Sequence, residues 1–310
     1  MSIATQPLAL PCGPLTLVRD YAELTKLRVT TLVVMTAWCS YYFGAIRAGV
    51  SSLSWGLFHT LLGVGLVAGG TAALNEVMES DVDRHMRRTA GRPLPTGRMS
   101  THRALVSGVA MALGGALYLS LALNPLTGLL SVATAVVYLG AYTPLKKIHP
   151  ICTFVGAFPG AMPGVLGWTA ARGRLEWGAL AMFAIVFFWQ FPHFFSIAWL
   201  YREDYAAGKI RMLPVVEVDG RSTARQIIFY SVALIPVTLV PTFLGMAGTF
   251  YAGCAVLLGL AMLYFGVRLA HLKAPITAAI SKQRARRLLQ ATVFYLPILF
   301  LAMMLNSISS

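Results

Sequence analysis

Long apolar runs alternate with short polar ones along almost the whole chain. The runs are continuous and near 20 residues, which predicts membrane-crossing helices. Ten-residue alternating segments, the mark of a β-barrel, are missing from the pattern. Nine spans are predicted, roughly at 27–45, 57–74, 104–123, 126–142, 151–170, 177–201, 227–246, 250–269 and 288–305. Most fall within the roughly 17–25 residues needed to cross ~30 Å of hydrocarbon at about 1.5 Å per residue. The fourth is the shortest and begins after the turn dipeptide Asn124-Pro125. No linker, low-complexity tract or separate soluble domain is visible. Residues 1–310 therefore read as one all-α, polytopic domain, with residues 1–18 as a flexible N-terminal segment.

Charge then orients the spans. Only 12% of the 310 residues are charged and 57% are hydrophobic, against about 25% charge in a soluble domain. The formal net charge is +14. With the N-terminus placed in the cytoplasm, 22 of the 25 Lys and Arg fall on that side, and only Arg47, Arg172 and Arg174 on the other. This positive-inside bias predicts a cytoplasmic N-terminus and an outside C-terminus. It also accounts for the basic charge without a nucleic-acid partner. The run "KQRARR" (282–287) reads as attraction to membrane lipid head groups. Cys12, Cys39, Cys152 and Cys254 show neither metal nor redox spacing. Neither a secretory signal nor a transit peptide is seen in residues 1–18, which favours a bacterial plasma membrane.

The acids need a separate cause, because the positive-inside rule does not ask for them. Four of the 11 lie in "NEVMESDVDRHMRRTAGRPLP" (75–95), at the end of the second span, and Glu203-Asp204 closes the sixth. Continued as a helix from Asn75 at about 100° per residue, Glu79 falls near 40°, Asp83 near 80° and Glu76 near 100°, with Asp81 near 240° on the far side. Asn75, Glu79 and Asp83 form an i, i+4, i+8 stripe of hard oxygen donors, which suits Mg²⁺ bound together with substrate phosphates. Arg88, Arg92, Lys146 and Lys147 suit phosphate oxygens. Lys26 serves either as a phosphate contact or as ordinary inside charge. Carboxylates, Mg²⁺ and basic residues together fit a lipid diphosphate whose tail lies in the bilayer. A solvated, helix-anchoring charge run is the competing reading. His193, within "WQFPHF" in the sixth span, is either functional, with Gln190 beside it, or a hydrogen-bonded residue that steadies the Pro192 kink.

These residues carry a resemblance. "NEVMESDVDRHMRRTAGRPL" resembles the Asn-x₃-Asp/Glu-x₃-Asp signature of UbiA-type intramembrane prenyltransferases, and its Met86-x-Arg88-Thr89-x-x-Arg92-Pro93-Leu94 extension resembles their heme O synthase branch. "LTKLRVTTLVV" (24–34), "YTPLKK" (142–147), "GAFPGAMPGVLGW" (156–168) and above all "WQFPHFFSIAWLYREDYAAGKIRMLP" (189–214) are similar to that branch. The resemblance runs from about residue 20 to 300. It implies nine helices around a central cavity open to the cytoplasmic side. It implies transfer of a farnesyl group from farnesyl diphosphate to a vinyl group of heme b, with addition of water. Asn75, Glu79, Asp83, Asp81 and Asp204 would then bind Mg²⁺. Lys26, Arg88, Arg92 and Lys146 would hold diphosphate, and His193, Gln190 and Trp189 would contact heme. A heme A synthase or terminal oxidase assembly is an implied partner. The alternatives are an acceptor that is a quinone precursor or chlorin, and an ion-coupled transporter. Acids gathered at one interface rather than near the midplane disfavour the transporter.

Overall fold

A computed structural model describes residues 14–308 except 218 and 273. Of the expected flexible N-terminal segment, residues 1–13 lie outside the described residues. Its remainder is helical and opens α1 (Pro14–Leu24). The long helices are α2 (Leu27–Arg47), α3 (Trp55–Asp83), α4 (Thr101–Ala122), α5 (Pro125–Val136), α7 (Cys152–Arg172), α8 (Trp177–Leu200), α11 (Arg221–Phe243), α12 (Thr249–Ala270) and α13 (Ala279–Leu305). Helix α5 continues through a π-helical stretch (Val137–Tyr142) into the short α6 (Thr143–Leu145). Short helices α9 (Arg202–Ala207) and α10 (Leu213–Val216) follow α8.

Each predicted span lies largely on one of these helices, and the differences are instructive. Among the described residues, eight helices are long and apolar enough to cross a membrane. Helix α7 has the length but less apolar character, because Pro159, Pro163 and four glycines interrupt it. It is also the helix wrapped by protein, packed against α2, α3, α5 and α8 and buried over most of its length, so it has less need of lipid-facing side chains. Helix α3 runs nine residues past the predicted end of the second span, so the acidic stripe rides on a continuous helix. Helix α13 starts at 279 rather than 288, and "KQRARR" forms part of its first turns.

Local sequence explains the ends. Asn124 caps α5 by accepting from Thr127 N at 3.0 Å, with Pro125 at the first helical position. Ser100 caps α4 in the same way through Arg103 N. Small residues set the closest approaches. A Cβ at Gly70 would lie 2.5 Å from Ala112 N on α4, and one at Gly167 would run into the backbone of Ala37 on α2. Such contacts are how helices associate where lipid removes the hydrophobic drive between them. Large apolar side chains on the outer faces, such as Leu113, Leu117 and Leu121 on α4 and Leu257 on α12, are exposed. In a multi-pass membrane protein they meet hydrocarbon.

Candidate functional site

The last two turns of α3 present Asn75, Glu76, Glu79 and Asp83 on one buried face. Three of the four meet a basic or amide partner, and each partner comes from a different segment. Lys26 sits between α1 and α2 in the left-handed region (φ 49°, ψ 51°). A lysine seldom adopts that conformation, and here it turns the side chain back to α3. Its Nζ donates to Asn75 Oδ1 at 2.6 Å. Asn75 Nδ2 donates to Thr143 Oγ1 at 3.1 Å, and Thr143 Oγ1 donates to Tyr138 O at 2.9 Å across the π-helical stretch. Lys146, just past α6, brackets Glu79 with 2.8 and 3.1 Å contacts, and lies 4.6 Å from the Tyr142 ring centroid. Arg92, in the loop after α3, donates to Asp83 Oδ2 at 2.6 Å. Thr89 of the same loop bonds Asp83 O.

Glu76 is different. It is fully buried, and no side chain bonds either carboxylate oxygen; the backbone N–H of Leu94 faces it without reaching full hydrogen-bond geometry. The charges of Arg92 and Lys26 favour its ionised form, and that of Asp83 opposes it. Burial pushes Lys26 down to about 8, and the positive charges of Arg92 and Lys146 push the same way. So the site holds three cations and three carboxylates in close quarters, with one carboxylate unmatched.

The other expected site residues divide. Asp81 stands apart from the stripe. Six residues on from Asn75 it points away from the stripe, its side chain is 91% exposed, and Arg84 lies 3.9 Å away. Asp204 lies partly exposed in the first turn of α9, where the neighbouring Glu203 is paired with Lys282 of α13. Arg88 is exposed and lies 5.3 Å from both the Tyr201 and Tyr205 ring centroids, with a 3.2 Å bond to Tyr205 Oη. It therefore tethers α9 rather than the α3 acids. Gln190 is buried and donates to Ala157 O at 3.0 Å, which ties α8 to α7. Trp189 and His193 lie together one turn apart on α8, with ring centroids 4.7 Å apart and planes 19° apart. Both reach Thr292 of α13.

Sequence reasoning missed Thr143 and Thr292, although Thr143 stands in the quoted "YTPLKK". It also missed the strut made by Arg98, which bonds Asp20 and Glu23 of α1 and Gly91 O at 2.8, 2.7 and 2.9 Å. That strut pins the loop carrying Arg92 against α1. Arg98 lies 75 or more positions from its two acidic partners, and no local pattern links them.

Among the described residues, no group of three or more His, Cys, Asp or Glu side chains is gathered as a ready-made metal cage. The donors still fit a hard divalent cation. They are all oxygens on one helical face, and the Glu76 carboxylate there lacks the ion-pair partner that Glu79 and Asp83 have.

A buried oxygen stripe faced by Lys and Arg, at the end of a membrane helix, can take a phosphorylated lipid. Residues 32–290 match the model of the UbiA prenyltransferase family, and the chain belongs to that family. It is 59% identical over 307 residues to protoheme IX farnesyltransferase of Koribacter versatilis (strain Ellin345), covering 99% of both chains. It is 48% identical to the protein of the same name from Solibacter usitatus (strain Ellin6076), over 93% of this chain and 98% of that one. The fold matches a solved digeranylgeranylglyceryl phosphate synthase, with a TM-score of 0.74 at 17% identity over 93% of this chain and 98% of that chain. It also matches a UbiA homologue from Archaeoglobus fulgidus bound to GPP and Mg²⁺, with a TM-score of 0.64 at 14% identity over 92% and 99%.

Proposed function

We propose that this protein transfers the farnesyl group of farnesyl diphosphate to a vinyl group of heme b, giving heme O and diphosphate. The C1–oxygen bond of the diphosphate breaks. The vinyl carbon supplies the electron pair for the new carbon–carbon bond. Water adds to the cation left beside the porphyrin ring and releases a proton. The observation that carries the diphosphate half is the buried stripe of Asn75, Glu79 and Asp83, with Lys26, Lys146 and Arg92 in bonding contact. The heme half rests on full-length likeness to relatives of that name, together with the paired Trp189 and His193.

Asn75, Glu79 and Asp83 would hold Mg²⁺, with Asp204 of α9 as the further donor. Bound there, the ion would neutralise negative charge on the departing diphosphate. The chain's own cations do the rest. Lys26, Lys146 and Arg92 each lie against the stripe, where a diphosphate oxygen can replace the carboxylate or amide as acceptor. Arg88 is a further phosphate contact at the rim. Half-buried aromatic side chains, Tyr142 beside Lys146 and Tyr138 against Tyr142, would help to keep bulk water from an allylic cation. The protein is a single domain in a bacterial plasma membrane, and the positive-inside bias supports an N-terminus in the cytoplasm, a C-terminus outside, and the acidic stripe on the cytoplasmic side. Heme A synthase or terminal oxidase assembly would receive the product.

The test is an assay of purified protein with heme b, farnesyl diphosphate and Mg²⁺, read by mass spectrometry, beside Asp83→Asn. Farnesylated, hydrated heme from wild type alone is the expected result. Prenylation of a quinone precursor or chlorin with heme left untouched would overturn the acceptor and keep the diphosphate site.

A further inference from the structure

The hydrogen bonds of Thr292 decide which nitrogen of His193 carries the proton. Thr292 lies on α13 and is fully buried. Its hydroxyl has a single proton. That proton goes to Leu289 O at 2.7 Å, because a carbonyl can only accept. The 2.9 Å contact between Thr292 Oγ1 and His193 Nδ1 must then have the imidazole as donor. A neutral imidazole has one N–H, so with it on Nδ1 the lone pair on Nε2 is bare. The Thr292 contact is the one side-chain hydrogen bond of His193 among the described residues. The ring plane is fixed as well. Trp189 stacks on it, and Trp189 Nε1 donates to the backbone oxygen of the same Thr292 at 2.8 Å. A histidine held by edge and face, with one nitrogen left unused, is built like a metal ligand with its supporting hydrogen bond.

We propose that Thr292 is a positioning residue that holds His193 in the Nδ1–H tautomer, so that its Nε2 lone pair coordinates the iron of the porphyrin substrate. The inference rests on the heme-acceptor reading above. One axial bond on one face of the macrocycle would anchor the plane and leave the vinyl edge free to meet the farnesyl carbon. No electron changes hands in this step.

The experiment titrates the purified full-length protein with ferrous heme b, without farnesyl diphosphate. Binding is read by absorbance, and the iron–histidine stretch by resonance Raman. Wild type is expected to show a single axial imidazole. Thr292→Val keeps the side-chain shape and removes the acceptor. It is expected to bind heme about 10–100-fold more weakly, with the stretch moved to lower frequency, and Thr292→Ser is expected to restore both. If Thr292→Val matches wild type while His193→Ala loses the axial signature, the role of Thr292 is overturned and iron ligation by His193 stands. If His193→Ala keeps the wild-type signature, ligation by His193 falls and this proposal with it. Heme O synthesis in the same preparations reports on the acceptor assignment separately.

Discussion

Glu176, at the turn between α7 and α8, accepts from Trp168 Nε1 at 2.9 Å, from Arg172 at two 3.0 Å contacts, and from Arg174 at 2.7 Å. Glu76, at the opposite end of the bundle, accepts from no side chain. Both ends gather acids and bases, but only one is complete. Around Glu176 two arginines and an indole surround a single carboxylate, and Arg172 also bonds Arg47 O at 2.9 Å, closing α2 onto α7. That is a clamp, and a further ligand would find nothing to bind. Around the α3 stripe the partners come singly from three segments, and one carboxylate is left over. A buried carboxylate without an ion-pair partner is more often a mark of a binding site than of a structural clamp.

The sharpest test of this contrast is Glu79→Gln, expected to lower turnover of the folded protein by about 10³-fold and, because it leaves Lys146 without its anion, to lower the unfolding midpoint as well, read by product formation and a melt in detergent. Equal activity would place the stripe with the clamp. Lys146→Ala leaves Glu79 buried without its cation and should destabilise the protein by about 3 kcal/mol. Adding Glu79→Gln to that variant should recover much of the loss. Glu76→Gln should raise stability by about 1 kcal/mol, because it removes a buried carboxylate that no side chain bonds. A lower unfolding midpoint would mean that Glu76 is already satisfied. The smallest effect is expected at Glu176→Gln, a loss of under about 1 kcal/mol after solvent screening, with heme O synthesis unchanged. Hydrogen bonding from Arg172 and Trp168 holds the Glu176 carboxyl down at about 2, below the usual 4.5. Its stabilising contribution is therefore present above pH 4.5 and is lost as pH falls from there toward 2. A melt series over that window, wild type against Glu176→Gln, should converge at the acid end.

The α3 stripe was legible because helical periodicity is a local property. Asn75, Glu79 and Asp83 had to share a face once the helix continued, and Asp81 had to miss it. The same reasoning fails at α9. Charge placement singled out Glu203-Asp204, but a metal-donor role for Asp204 came only from resemblance, because its distance from α3 depends on a connection of more than a hundred residues. His193 and Gln190 looked alike in "WQFPHF", two polar residues in an apolar helix. Packing separates them. Gln190 is spent on the α7 backbone at Ala157, while His193 gives one nitrogen to Thr292 and keeps the other.

By itself the sequence determined that this is an all-α membrane protein, roughly where its spans lie, and which face of α3 carries oxygen donors. Run length, charge bias and the 3.6-residue repeat are properties of neighbours along the chain, and bilayer thickness converts them into helices. Only the tertiary structure decided which cation meets which acid, that Glu76 is left without an ion-pair partner, and that Thr292 governs His193. Those pairings join residues up to 99 positions apart. They are set by how helices settle against one another, through close approaches such as Gly70 of α3 against α4 and Gly167 of α7 against α2, and no local pattern carries that information.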